Sequence, residues 1–202
     1  MQPERLDAGY WDNRYQNDTA GWDLGKVSPP LKAYLDQVED KTVSVLLPGC
    51  GNAWEAAYLL HAGFSNITIL DIAPELVLSL EEKFKHAASN VTIVCEDFFA
   101  FRGEFDLVIE QTFFCALSPE LRPAYAKQMH ELIVPGGKLI GLLFDRAFEG
   151  GPPFGGSEKE YRELFLPYFE IKTMAACYNS ILPRQGTELF VILENRWLSS
   201  LK

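Results

Sequence analysis

Two glycines and two acids in the first half of the chain are spaced for ligand chemistry. The run Val45-Leu46-Leu47 leads directly into Pro48-Gly49-Cys50-Gly51-Asn52, and the next β-prone run, Asn66 to Leu70, ends in Asp71. Glycine takes positive φ at little cost and lets a ligand approach the backbone. Gly49 and Gly51 can therefore cradle a nucleotide at the carboxyl end of a strand. A carboxylate closing the neighbouring strand can accept both hydroxyls of a ribose; read as structure alone, Asp71 would cap the helix that begins near Pro74. The sixth position of a dinucleotide fingerprint should be a third glycine, and here it is Trp54, too bulky for close helix–strand packing beside a pyrophosphate. No Gly-x-x-x-x-Gly-Lys-Ser/Thr occurs either, so a phosphate loop is excluded. A nucleoside without phosphates remains, and S-adenosylmethionine, whose sulfonium suits an acidic, aromatic-rich chain, meets that description. The second acid, Asp97 of Cys95-Glu96-Asp97-Phe98, can accept from an adenine amino group while Phe98 stacks or offers its N–H; a solvated turn residue is the equal alternative. Glu110 and Gln111 close a further strand towards the same crevice.

These residues need elements to hold them. Apolar patterning predicts strands at Thr42–Leu47, Asn66–Leu70, Val91–Cys95, Phe105–Ile109 and Lys138–Phe144. Helical periodicity fills Asn52–Ala62 and Pro74–Ala87. A third helix opens at Ser118-Pro119-Glu120 and runs to about Ile133, before the stop Pro135-Gly136-Gly137. Alternating strand and helix predicts a doubly wound, mostly parallel α/β sheet covered on both faces. Tyr168–Ala176 and Glu188–Glu194 add a C-terminal antiparallel pair, making seven strands, with a turn through Pro183 and Gly186 between them. The sheet has no need of the first 40 residues, which carry Tyr10, Trp11, Tyr15 and Trp22; residues 1–40 are expected as a helical segment covering the ligand site within one domain spanning 1–202.

Composition narrows the partners. The 202 residues are 48% hydrophobic, enough to close a single core. With 28 acids against 18 bases the formal charge is −10, which argues against a nucleic-acid or anionic-membrane surface. No apolar run is long enough for a membrane span, and the first residues lack the apolar core of a secretory signal. Cys50, Cys95, Cys115 and Cys177 form no Cys-x-x-Cys pair, so no metal site is expected; they read as thiols of a reducing cytoplasm.

Taken together, the Gly-Cys-Gly turn, Asp71, Asp97 and Phe105-Asp106-Leu107-Val108-Ile109 resemble a class I S-adenosylmethionine-dependent methyltransferase. Five further stretches narrow the resemblance to the thiopurine and halide/thiol methyltransferases. They are Trp11 with Tyr15 and Trp22-Asp23-x-Gly25-x-x-Ser28-Pro29; Leu47 to Gly51; Phe113-Phe114-Cys115-Ala116-Leu117; Arg122-Pro123-Ala124-Tyr125-Ala126; and Gly150-Gly151-Pro152-Pro153-Phe154. The resemblance implies that Trp11, Tyr15 and Trp22 cover the cofactor and that Gly49, Asp71, Asp97, Phe98 and Gln111 contact it from the sheet. Three positions depart from the pattern. Tyr15 stands where plant halide/thiol members tend to have Trp, and Gln111 where they have Tyr and thiopurine members Arg. Phe154 stands where some thiol enzymes have a Tyr proposed to be catalytic.

Methyl transfer from a sulfonium is an in-line displacement, so alignment and water exclusion can supply most of the acceleration. A cation–π contact from Trp11 or Trp22 could hold the sulfonium; packing alone is the other use of these rings. His61, His86 and His130 fall in helices as surface or packing residues, so no general base is expected. A thiol is partly ionised near neutral pH and a halide needs no base. The acceptor is thus expected to be a small soft nucleophile (thiol, hydrosulfide, halide or thiopurine-like sulfur). Phe113, Phe114 and the Pro152-Pro153-Phe154 loop would make its apolar pocket, against the alternatives of hydrophobic core and plain turn. Two other readings stay open: a non-catalytic module that binds the cofactor or a nucleoside, and a nicotinamide-dependent oxidoreductase, which Trp54 and the lack of a proton donor disfavour.

Overall fold

The computed structural model describes residues 6–17 and 21–196; the parts of the expected 1–40 segment and 1–202 unit at 1–5, 18–20 and 197–202 lie outside the described residues. In chain order the helices and strands are α1 (Ala8–Gln16), α2 (Pro29–Leu35), β1 (Val45–Pro48), α3 (Trp54–His61), β2 (Ile67–Asp71), α4 (Pro74–Phe84), β3 (Val91–Cys95), β4 (Phe105–Gln111), α5 (Arg122–Leu132), β5 (Ile133–Phe144), α6 (Glu158–Phe165), β6 (Phe169–Ala176) and β7 (Glu188–Asn195). The strands form one seven-stranded sheet in the order β3-β2-β1-β4-β5-β7-β6. β1 to β5 pair in parallel, and β7 runs antiparallel to both β5 and β6. This is the doubly wound, mostly parallel sheet with a reversed C-terminal strand that the sequence predicts.

Strand residues point alternately to opposite faces, and the core divides accordingly. Val45, Leu47, Ile67, Ile69, Leu107, Ile109 and Ile140 pack under α2, α3 and α4. Leu46, Leu70, Val108, Leu139, Leu143, Val191 and Leu193 pack under α5 and α6. The chain winds outward through β1, β2 and β3, then crosses to the other side of β1 for β4. At this reversal the connections after β1 and β4 leave on opposite sides, which opens a crevice at the carboxyl ends.

Some element bounds differ from the sequence expectation for local reasons. The helix expected from Asn52 starts at Trp54 because Ala53 takes φ 52°. The helix expected from Ser118 is split: Pro123 has no N–H to bond back to Pro119, so Pro119–Leu121 forms a 3₁₀ turn and α5 begins at Arg122. Sequence reasoning passed over α6, although its signal was present. Ser157 Oγ accepts from Glu160 N at 3.3 Å, and Tyr161 and Phe165, four apart, are both buried on the sheet. α1 and α2 both fall within residues 1–40, where a helical segment is expected. No helix among the described residues is long and apolar enough to cross a membrane.

Candidate active site

At the carboxyl ends of the strands lies a cavity of about 720 Å³. Ten of the residues singled out from sequence line it: Trp11, Tyr15, Trp22, Gly49, Gly51, Asp71, Asp97, Phe98, Gln111 and Phe113. Two others do not. Phe114 is 1% exposed and packs on Tyr125, Tyr161 and Phe165, so it is a core residue and does not border the cavity. Phe154 is half-buried behind Pro152 and Pro153, which are the members of its loop that reach the lining. Its N–H donates to Cys115 O at 2.6 Å, which pins the loop to the turn after β4.

The glycine turn is built as its residue types demand. Gly49 and Gly51 have φ of +55° and +50°, where side chains are costly. A Cβ on Gly49 would lie 2.2 Å from Phe113 Cδ2, and one on Gly51 would lie 2.8 Å from Tyr15 Oη. Both glycines thus make room for aromatic side chains. Asp71, 7% exposed, accepts from Gly51 N at 3.3 Å and from Ala73 N at 3.1 Å. It therefore braces both the turn and the approach to α4. Burial lifts its carboxyl to about 6, against the opposing pull of the backbone N–H groups of Ala73, Gly51 and Ile72. Asp97 is exposed and accepts from Phe99 N at 2.9 Å, which is its turn role; it also faces the cavity. The Gln111 amide is buried at the cavity wall with no partner on either Nε2 or Oε1. Such an amide is costly unless a ligand completes it.

The N-terminal segment is tied down over this site. Asp23 accepts from Trp54 Nε1 at 2.6 Å, from Gly25 N at 2.6 Å and from Asn52 Nδ2. Trp54 thereby serves as an anchor for the segment. Ser28 N donates to Glu55 at 3.0 Å, and Arg184 Nη2 donates to Trp22 O at 2.8 Å. Trp22 meets Trp11 and Tyr15 edge-on, and the Arg14 guanidinium lies 5.3 Å from its ring centroid, so one cation already rests on it. Burial and the neighbouring Asp71 push the Tyr15 phenol well up, keeping it a neutral donor.

Charged groups line the cavity from several elements. Asp71, the last residue of β2, and Glu96 and Asp97, after β3, stand in the lining with Arg14, Asp23, Lys26 and Glu55. Arg146, after β5, and Arg184, before β7, line it as well, with Phe144, Phe148, Pro152, Pro153 and Pro183. Arg184 is paired with Glu188 at 3.3 Å; Arg146 lies over the Phe148 ring at 4.7 Å and forms no ion pair among the described residues. Sequence reasoning missed these two arginines, because nothing in their neighbours' spacing marks them. No histidine lines the cavity: His61 and His86 are exposed, and His130 is bonded to Asn195 on β7. No group of metal-ligating side chains occurs among the described residues.

Fold and site together define a Rossmann-like, S-adenosylmethionine-dependent methyltransferase. The structure superposes on the Burkholderia thailandensis 1,6-didemethyltoxoflavin-N1-methyltransferase, solved with its substrate and S-adenosylhomocysteine, with a TM-score of 0.74 at 19% identity, covering 94% of this chain and 87% of that one. The family model described as Thiopurine S-methyltransferase matches residues 6–197, and the chain belongs to that family. Among its relatives, a probable thiol methyltransferase 2 of Arabidopsis thaliana is 31% identical over 96% of this chain and 86% of its own length. A thiocyanate methyltransferase 1 of Brassica oleracea is 31% identical over 92% and 84%.

Proposed function

We propose that this enzyme methylates a small, soft acceptor that arrives as an anion: a thiolate, hydrosulfide, halide or thiopurine-like sulfur. The observation that carries the reading is the pair of guanidiniums, Arg146 and Arg184, in a cavity lining that also holds Phe144, Phe148, Pro152, Pro153 and Pro183, while Asp71, Glu96 and Asp97 stand at the ends of β2 and β3. The pair attracts an anion, and the absence of any histidine from the lining matches an acceptor that needs no base. The relatives named for thiol and thiocyanate agree with this choice.

The residues suit the cofactor. Asp71 would take the ribose hydroxyls, Asp97 and Phe98 the adenine, and the unpartnered Gln111 amide a polar group of the cofactor or acceptor. Gly49 and Gly51 supply the close backbone approach. Trp11, Tyr15 and Trp22, on the 1–40 segment, would cover the site and exclude water. When bound, S-adenosylmethionine supplies a methyl group activated on a positive sulfur. The chain itself aligns the acceptor: Phe113 walls the boundary between the two ends, Pro152 and Pro153 close the far wall, and Arg146 and Arg184 hold the anion. Phe154 would act only by supporting that wall and Phe114 by supporting Phe113. Catalysis in this scheme is positioning and desolvation.

The test is turnover of S-adenosylmethionine to S-adenosylhomocysteine across thiols, hydrosulfide, iodide and thiopurines. Turnover with at least one soft anion, in preference to amines and alcohols, is expected. Transfer to oxygen or nitrogen acceptors alone would sink the reading, and binding of S-adenosylhomocysteine without any turnover would favour a non-catalytic module.

A further inference from the structure

Glu110 is fully buried at the end of β4, yet its carboxylate has no ion-pair partner among the described residues. The sequence suggested that it faces the crevice with Gln111. Instead the strand alternation sends Gln111 to the cavity and Glu110 into the core. There Oε1 accepts from Phe113 N at 2.8 Å and from Phe114 N at 2.9 Å, while Oε2 accepts from Tyr125 Oη at 2.6 Å. Space for it is built in: a Cβ on Gly141, its register partner on β5, would sit 2.5 Å from Glu110 Cβ. A buried carboxylate with only three neutral donors is an expensive way to hold a turn. What it holds is the bend through Thr112, at φ +62°, into Phe113. The Phe113 ring lies against Gly49 and 5.1 Å from the Phe98 ring, so it meets both the glycine turn and the candidate adenine wall. Two residues on, Cys115 O carries the Pro152–Phe154 loop through Phe154 N.

We propose that Glu110 is a positioning residue of methyl transfer: through the N–H groups of Phe113 and Phe114 and the hydroxyl of Tyr125, its carboxylate sets the wall on which the acceptor is aligned. The proposal rests on the reading of Phe113 as that wall. Its charge state is the control point. Ionised, the carboxylate accepts all three bonds; a proton on Oε2 would turn Tyr125 from donor to acceptor and leave Oε1 a neutral, weaker acceptor for the two N–H groups that hold the bend. Burial lifts Glu110 to about 7, with Tyr125 and the N–H groups of Phe114 and Phe113 pulling the other way. The titratable groups facing it are Tyr125 on α5, pushed well up by burial, and Cys115 in the turn, pushed up to about 12 by burial and by the charge of Glu110; β5 presents only Gly141. Glu110 is thus the member of this cluster that changes charge near neutrality.

The test uses Glu110→Gln and, should that variant fold poorly, Tyr125→Phe in the full chain. Two readouts are needed. In nuclear magnetic resonance, the Phe113 and Phe114 amide protons of the wild type should titrate together near neutral pH and cease to do so in Glu110→Gln. In kinetics with iodide, which does not titrate, the acceptor KM of either variant should rise at least about tenfold, the loss expected for a hydrogen bond to a charged group, with the S-adenosylhomocysteine affinity within about twofold of wild type. The wild-type iodide profile should lose activity below about pH 7 and the Gln variant should not. Amide protons that do not titrate, or a cofactor affinity that falls as far as acceptor binding, would show that Glu110 merely stabilises the fold. Absence of iodide turnover in the wild type would count against the soft-anion reading, and the amide titration would still decide the role of Glu110.

Discussion

The two ends of the cavity are built on different principles. The proposed cofactor end is made by the ends of β1, β2 and β3, and its acids are fixed by main-chain bonds: Asp71 by Gly51 and Ala73, Asp97 by Phe99. The proposed acceptor end is made by connections, from the bend after β4 to the loop after β5 and the link from β6 to β7. There the main-chain bond from Phe154 N to Cys115 O is joined by side chains that act at longer range: Glu110 on the bend, Arg122 bonding Gly155 O at 2.7 Å, and Arg184 on Trp22 O. A site whose recognition groups are held by main chain tolerates little change, whereas one held by side-chain ties can be retuned by single substitutions. This contrast fits a family that keeps one cofactor while its named members act on different acceptors.

Substitutions at the boundary should break the contrast most severely. Gly49→Val places a branched side chain at φ +55° with its Cβ 2.2 Å from Phe113 Cδ2. It should cost about 2–4 kcal/mol of stability from overpacking and the strained backbone, and abolish binding at both ends. Thermal unfolding with S-adenosylhomocysteine calorimetry would measure both; intact binding would show that the turn and the Phe113 wall are independent. Within the cofactor end, Asp71→Ala should weaken S-adenosylhomocysteine by about 1.5–3 kcal/mol, since it removes charged hydrogen bonds and strands the Gly51 and Ala73 N–H groups. Acceptor KM should change little, and a change as large as that in cofactor affinity would contradict the division.

A smaller effect follows from pH. Asp71 sits at about 6 in the fold, above its ordinary 3.8, so between those values the folded chain holds the extra proton. The sign follows: this group's contribution to stability falls as pH rises through that window. Binding should run the other way, because the proposed ribose contact needs the carboxylate. S-adenosylhomocysteine affinity should be flat above about pH 6 and fall towards about tenfold per pH unit below it. Asp71→Asn should lose that dependence; if it persists, another group governs it. The least effect belongs to the exposed guanidinium at the far end. Arg146→Ala should raise the KM of an anionic acceptor about two- to fivefold, as for an exposed charge pair, and less at high salt. A steady-state salt series checks it, and an unchanged KM would assign anion recognition to Arg184 alone.

The same division governs what the sequence reveals. The gathering of the glycine turn and the strand-end acids at one cavity was legible because it coincides with local pattern: strand, Gly-Cys-Gly, helix, then an acid at the next strand end. Each of those residues is fixed by neighbours in its own unit, so spacing along the chain stands for position in space. The acceptor end was read less well. Phe113 and Phe114 are adjacent and identical in type, and only the tertiary turn of Glu110 decides that one faces the cavity and the other the core. Arg184 reaches a carbonyl 162 residues away, a relation that no local pattern encodes. The parallel half of the sheet was legible for the same reason as the cofactor end, while α6 was passed over despite its capping serine and the pair Tyr161 and Phe165.

The placement of β7 has a consequence for how the chain is made. β6 pairs with β7 alone, and β7 follows both of its neighbours, β5 and β6, in sequence. During synthesis β1 to β5 emerge in an order that lets each find a parallel neighbour already present or soon to follow, so the cofactor end can assemble while the remainder is still being translated. β6 then waits without a partner until residues Glu188–Asn195 leave the ribosome and slot between it and β5. That insertion places Arg184, just ahead of β7, against Trp22. The strand ends proposed to hold the nucleoside can therefore form before the arginine-bearing wall of the cavity, which waits on β7.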